Sequence, residues 1–281
     1  MQLSKSIRNY ERADSFPLKN YDWRNGNDVN AKSDQSCTAN LLMRSLFKHA
    51  GKNLSIPMNQ TVLTKGDFLY QQDDEIDHVY FPETAAISEF RLLEDGRMVE
   101  IAITGREGAL GIPSLFGPCL ASNIAGVSHT GTALKIATGS IKRQISADAG
   151  LMLLMYDWMN KYIRQISQKA ICNMYHSVET RFCTWLLMLQ DRTSRSVLKL
   201  THEEIARILG VYRPSVTYIA LELRKQNLID YSRGGISISD RAGLKKHACD
   251  CYAELAADYA EADSVRITEK AGAFRTNVYA Y

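Results

Sequence analysis

The spacing of apolar positions changes along the chain and divides it into segments of different texture. From Asn40 to Ala50, Leu41, Leu42, Leu46 and Phe47 recur at helical intervals and predict a short amphipathic helix. From about Ile56 to Ile145 the apolar residues fall instead into short β-type runs broken by Gly, Asp and Pro. These runs are Phe68-Leu69-Tyr70, His78-Val79-Tyr80-Phe81, Ile87-Ser88-Glu89-Phe90 and Val99-Glu100-Ile101-Ala102-Ile103. Glu94-Asp95-Gly96-Arg97 is a hairpin signal between two such runs. Many short strands predict a sandwich or jelly roll, closed by a strand at Ala133 to Ala137 before Ser140 and Lys142 begin a helix.

Helical spacing returns from about Asp148 to Cys172. Met152, Met155, Met159, Ile163, Ile166 and Ala170 form one stripe, and Leu151, Leu154, Trp158 and Tyr162 form another. A helix with two apolar stripes can pack on its own β-domain and on a second copy of itself, which makes the first stripe the expected dimer contact. The competing reading turns both stripes into the chain's own core. A further helix is predicted around Ser177 to Leu189, with Ser177 and Thr180 as caps and Phe182, Trp185, Leu186 and Leu189 on its apolar face. Residues 1 to about 40 show no sustained period and read as a loosely ordered extension.

The most specific signals lie between Leu200 and Ile238. Thr201 followed by Glu204 is a capping box, in which each side chain satisfies a backbone amide at the start of a helix. Gly210 suits the left-handed residue that ends this helix, and Pro214 suits the first turn of the next. Small Ala206 lets the two helices approach, with Ile205, Leu209, Val216, Ile219 and Leu223 between them. This is the pattern of a helix-turn-helix, whose second helix enters the major groove of duplex DNA. It nominates Thr201, Tyr212, Arg213, Pro214, Ser215, Thr217 and Tyr218 as DNA-facing. Arg213 can donate two parallel hydrogen bonds to guanine. Gly234-Gly235 between two strand-like runs predicts a hairpin wing, with Arg233 at its tip as a phosphate contact.

Charge strengthens that reading. The whole chain carries only +3, but Arg192 to Asp250 holds eleven Lys/Arg against six Asp/Glu, a local charge of +5, while the remainder nets −2. Positive charge is therefore concentrated where phosphate must be met. Six scattered cysteines and a polar, irregular start lead us to expect reduced thiols in the cytoplasm. No apolar run approaches the roughly 20 residues of a membrane span.

Leu200-Thr201-(x)2-Glu204-Ile205-Ala206-(x)3-Gly210-(x)2-Arg213-(x)2-Val216, Asn227-Leu228-Ile229 and Arg233-Gly234-(x)-Ile236 together resemble the Crp/Fnr family of regulators. Asp77-His78-Val79-Tyr80-Phe81-Pro82 and Cys172 to Glu179 are similar to a divergent branch of it. The resemblance covers about residues 40 to 260. It implies an α+β chain with an N-terminal cyclic-nucleotide-binding-type β-roll (jelly roll), a long dimerisation helix and a C-terminal winged helix-turn-helix. The expected divisions are an extension at 1–39, the β-roll at 40–146, the dimer helix at 147–174, the DNA-binding unit at 175–262 and a tail at 263–281. It also implies double-stranded DNA and a second copy of the chain as partners, with RNA polymerase a further one, and it makes Arg213 the counterpart of the family's guanine reader. Pro214 and Tyr218 stand where activator-type members carry a glutamate and a second arginine, so the target sequence does not carry over.

The same resemblance makes the sensory half unusual. Members that bind cyclic AMP hold its phosphate with a buried arginine, yet no Lys or Arg occurs between Glu107 and Leu134. Cyclic AMP binding in the usual mode is therefore not expected, although amides near Gly108 to Leu110 could receive some anion. With only Cys37 before residue 119, an N-terminal iron–sulfur cluster is not expected either. His247-(x)-Cys249-(x)-Cys251 has ligand-type residues, but alternating positions on a helix do not share a face, so no metal site and no cofactor are expected. An enzyme built on the β-roll would need clustered histidines, and His49, His78 and His129 lack paired spacing. A ligand-binding regulatory subunit without DNA contact is the alternative, but it leaves Arg213 and the wing without purpose.

Overall fold

The computed structural model describes residues 38–51, 54–94, 96–117, 120–232 and 235–263. Helix α1 (Leu41–Ala50) starts where the Asn40 side chain accepts from the Met43 amide. The same buried side chain donates to the carbonyls of Pro82 at 2.7 Å and Gly108 at 2.8 Å, which pins the helix to the β-domain. That domain comprises β1 (Asn59–Leu63), β2 (Phe68–Tyr70), β3 (His78–Pro82), β4 (Ala86–Leu92), β5 (Met98–Thr104), β6 (Ile124–His129) and β7 (Gly131–Ala137). They form two antiparallel sheets, in the orders β1-β7-β3 and β2-β6-β4-β5. Leu63, Ile87, Leu110, Val127 and Ala133 fill one core of this domain.

β1 and β6 were not foreseen. β1 is mostly exposed, with Val62 outward, and β6 carries small Ala125 and Gly126, so neither shows a β-type run. Gly126 lies against the rings of Phe68 and Phe90. The β4–β5 hairpin occurs where Glu94 to Arg97 predict it, with Gly96 at φ 84°.

Helix α2 (Thr138–Ala147) leads to α3 (Ala149–Tyr175), whose 27 residues extend about 40 Å. Asp148 caps α3 by accepting from the amides of Gly150 and Leu151, and it also contacts His49 of α1 at 3.1 Å. Leu151, Met155 and Trp158 join Met43, Leu46, Phe81 and Ile141 in a second core. This corrects the predicted dimer stripe. Met155 is 0% exposed and belongs to the chain's own core, while Met152, Met159 and Ile166 are half-buried. Ile163 and Ala170 remain exposed, in line with Leu153, Tyr156, Asn160, Ser167 and Met174, at alternating spacings of three and four.

The C-terminal half contains α4 (Val178–Thr193), β8 (Val197–Leu198), α5 (His202–Leu209), α6 (Arg213–Lys225), β9 (Ile229–Ser232), β10 (Gly235–Ile238), α7 (Arg241–His247) and α8 (Cys251–Asp263). Its core unites Phe182, Leu186, Leu198, Ile205, Val216, Leu223, Ile236 and Leu244, and reaches Ala86 and Ile103 of the β-domain. The chain leaves helical geometry between His247 and Cys251. Cys249 therefore lies on no helix, and the expectation that His247, Cys249 and Cys251 are split between helix faces is corrected.

Candidate nucleic-acid interface

The two-helix corner is built as its residues dictate. At the start of α5 the Thr201 hydroxyl accepts from the Glu204 amide at 3.2 Å, and the Glu204 carboxylate accepts from the Thr201 amide at 2.7 Å. Gly210 takes φ 66° and ends the helix, while the Val211 amide donates to the Ala206 carbonyl at 2.9 Å. α6 then begins at Arg213-Pro214. Ile205, Ala206, Leu209, Val216, Ile219 and Leu223 are buried between the helices and their supports. Both ends of α5 are held by hydrogen bonds of their own.

Tyr212, Arg213, Pro214, Ser215 and Tyr218 lie on the exposed N-terminal face of α6, with Tyr212 85% and Tyr218 67% exposed. The helix end adds the positive end of its dipole to this face. Thr217 differs from the others. It is half-buried, and its hydroxyl donates to the Arg213 carbonyl at 3.2 Å and lies 3.0 Å from His202 Nδ1. Thr201 is exposed, but its side chain is engaged in the capping box. Burial, and then the charge of Arg213, lower the His202 pKa. β9 and β10 pair antiparallel, from Gly235 opposite Ser232 to Ile238 opposite Ile229. β8 adds an unforeseen third strand to the wing, and Arg233 lies outside the described residues.

The groups that join this unit to the β-domain carry no local sequence signal and were missed. β5 is an edge strand, and its open edge is closed by side chains. The Ile103 amide donates to Gln165 Oε1 of α3 at 2.8 Å, and the Ile103 carbonyl accepts from Arg192 Nε of α4 at 3.2 Å. Arg192 also forms an ion pair with Glu107 at 3.0 Å, both almost fully buried. Glu100 of β5 holds Lys169 of α3 and accepts from the Trp185 indole of α4 at 3.0 Å. Lys65, between β1 and β2, bonds the Glu204 carboxylate at 2.6 Å and the Lys199 carbonyl at 2.7 Å. Burial alone would raise the Glu204 pKa, but Lys65 and Thr201 outweigh it and hold the carboxyl below its ordinary range.

In the β-domain, two amides of the stretch considered for an anion are in use. The Gly108 amide donates to Gly105 at 3.2 Å and the Leu110 amide to Tyr80 at 2.8 Å. The Trp158 ring of α3 packs onto Gly108, where any Cβ would collide with it, and its indole donates to the Ala109 carbonyl at 3.2 Å. Nearby, Glu89 is buried and accepts from Tyr162 of α3 at 2.6 Å and from Tyr70 at 3.3 Å. A separate convergence of Cys172, His176, Cys249 and Cys251 lies at the far end of α3.

Comparison with known proteins agrees with this architecture. Residues 60–148 match the cyclic nucleotide-binding domain family, and residues 180–247 match the Crp-like helix-turn-helix domain family. The chain is 24% identical over 222 residues to a global nitrogen regulator from a Synechocystis strain, covering 76% of this chain and 98% of the relative. Among solved structures, FixK2 from Bradyrhizobium japonicum shares the fold at TM-score 0.60 and 17% identity, over 69% of this chain and 98% of that one. A CRP-family transcriptional regulator from Thermus thermophilus shares it at TM-score 0.56 and 19% identity, over 66% and 95%.

Proposed function

Because the chain belongs to the Crp/Fnr family of DNA-binding transcription regulators, we propose that it acts as a homodimer on a near-palindromic duplex, setting α6 of each copy into successive major grooves about 34 Å apart. The observation that carries this reading is the exposed N-terminal face of α6, from Tyr212 to Tyr218, on a helix whose other face is buried in the core. Arg213 reads a base edge, and Ser215 and Tyr212 meet phosphate or sugar. Thr217 orients the helix instead of touching DNA, since its hydroxyl already has two partners. Arg233 at the wing tip meets phosphate.

The dimer seam is the exposed stripe of α3, Leu153, Tyr156, Asn160, Ile163, Ser167, Ala170 and Met174, whose alternating spacing is that of a coiled-coil contact. Residues 40–146 then form the sensor, 147–174 the dimer helix and 175–262 the DNA-binding unit. The sensor answers a signal other than cyclic AMP bound in the usual mode. In support of this, no Lys or Arg occurs between Glu107 and Leu134, and the Gly108 and Leu110 amides are spent internally. A signal that shifts β5 against α3 reaches the DNA-binding unit through Gln165, Lys169, Trp185 and Arg192.

Selection of bound duplexes from a random DNA pool tests the reading. The full chain should recover a two-fold symmetric site, and Arg213→Ala should lose about 1–3 kcal/mol of discrimination at one position per half-site while nonspecific binding survives. Recovery of asymmetric sites, or unchanged discrimination by the variant, would reject the symmetric reading or the role of Arg213 respectively.

A further inference from the structure

We propose that Cys172, His176, Cys249 and Cys251 form a closed tetrahedral site for one thiolate-preferring divalent metal ion, with zinc the ion that its donor set favours. One potential ligand atom from each residue lies within 4.8 Å of all the others. Cys172 Sγ is 3.8 Å from Cys249 Sγ, and Cys251 Sγ is 4.0 Å from His176 Nδ1. Ligands held about 2.3 Å (sulfur) and 2.0–2.1 Å (nitrogen) from one tetrahedral zinc are themselves roughly 3.5–3.8 Å apart. The side chains thus already outline a cage of the size of a single ion. The distances are too short for a polynuclear cluster, whose several metal atoms spread their ligands.

The chain prepares this convergence. Cys172 and His176 are one helical turn apart at the end of α3, so they project from one side of it. Cys249 comes from the non-helical junction between α7 and α8 and Cys251 is the first residue of α8, so the two are not held apart as alternating residues of one helix would be. His247, the histidine adjacent to them in sequence, is turned away and bonds Glu179 at 2.9 Å. The ligand set therefore joins residues more than seventy positions apart, which no local spacing reveals.

The surroundings support bound thiolates. The Gln168 amide donates to Cys251 Sγ at 2.7 Å and approaches Cys172 Sγ at 3.9 Å. Thr184 Oγ1 accepts from the Cys249 amide at 3.0 Å and lies 3.1 Å from Cys249 Sγ, so its own proton can turn to the sulfur. Donors of this kind orient ligands and favour the charged sulfur. Three sulfurs and an imidazole select zinc over magnesium or calcium, and four protein ligands leave no open position, which makes the site structural and not catalytic. A disulfide between Cys172 and Cys249 would use two of the four groups and leave the placement of Cys251 and His176 unaccounted for. Cys172 and Cys249 are buried while His176 and Cys251 are partly exposed, which gives the ion a way in. Bound metal would clamp the end of α3 to the α7–α8 junction, directly behind α4. Arg181 of α4 in turn donates to the Leu209 carbonyl at the end of the first helix of the DNA-binding corner, at 3.0 Å.

The test uses the full chain, kept reduced, stripped of metal and titrated with Co2+ and then Zn2+. We expect one Co2+ per chain, with the intense visible and sulfur-to-metal charge-transfer bands of a tetrahedral thiolate site, displaced by stoichiometric Zn2+. Gln168→Ala should weaken Zn2+ binding about 10–100-fold, and Cys251→Ser should weaken the cobalt charge-transfer bands, since one of three thiolates is lost, and lower the affinity. Cys183→Ser and His247→Ala should leave both unchanged. The weak bands of octahedral cobalt in the unaltered chain would overturn the proposal without reliance on any variant. So would full binding by Cys251→Ser, or a Cys172–Cys249 disulfide found by mass spectrometry under reducing conditions.

Discussion

Glu89 is an acid placed where a charge is expensive. Burial raises its pKa, and hydrogen bonds from Tyr162, Tyr70 and Asn123 offset only part of that rise. The folded chain therefore holds a proton that the unfolded chain releases first. Between the ordinary glutamate value and the raised one, the unfolded state binds fewer protons, so stability falls as pH rises through that window. Glu89→Gln keeps a group able to accept from Tyr162 and removes the ionisation. Urea midpoints measured across this range should decline with pH for the native chain and stay flatter for the variant, and parallel declines would mean that Glu89 is not the source. Because Tyr162 belongs to α3, the same substitution probes the contact between the β-domain and the long helix.

At the scale of elements, the helix-turn-helix corner depends on its terminal hydrogen bonds more than on burial alone, since α5 spans only eight residues. Thr201→Ala removes the side-chain half of the capping box and should cost about 0.5–2 kcal/mol, read from the urea midpoint. A loss well below this range would mean that Lys65, which bonds both Glu204 and the Lys199 carbonyl, holds the helix start by itself. At the Gly210 turn a Cβ would meet open space, so Gly210→Ala is penalised only by its φ of 66°, about 1–2 kcal/mol. The β5 edge shows another local solution, in which side chains of α3 and α4 take the backbone groups that a neighbouring strand would otherwise use.

Across the whole molecule, the two halves share buried charge. Arg192→Met would leave Glu107 buried without its ion-pair partner and should cost about 3–5 kcal/mol in urea unfolding. The double variant Arg192→Met/Glu107→Gln should recover part of that loss, whereas an additive penalty would show that the two residues act independently. Association is the other property of this scale. Ile163→Glu introduces charge into the exposed stripe of α3 and should shift the chain toward monomer in sedimentation equilibrium without lowering monomer stability. An unchanged association constant would remove this stripe from the interface. Met155 cannot serve that test, because its substitution would open a cavity in the chain's own core.

Features that depend on neighbours a few residues away were legible before any packing was known. The capping box, the Gly210 turn, Pro214 in the first turn of α6, the Asp148 start of α3 and the β4–β5 hairpin all follow from backbone preferences and short-range hydrogen bonds. The candidate face of α6 was legible for the same reason, except that Thr217 turned inward to His202, fifteen residues earlier. β1 and β6 escaped because one is mostly exposed and the other has its apolar run interrupted by Ala125 and Gly126. It took the folded chain to settle which stripe of α3 is buried, how Arg192 meets Glu107, and that Cys172 and His176 face Cys249 and Cys251. These are matters of how separate elements pack, and side chains distant in sequence converge only when a shared core fixes the distance between the elements that carry them.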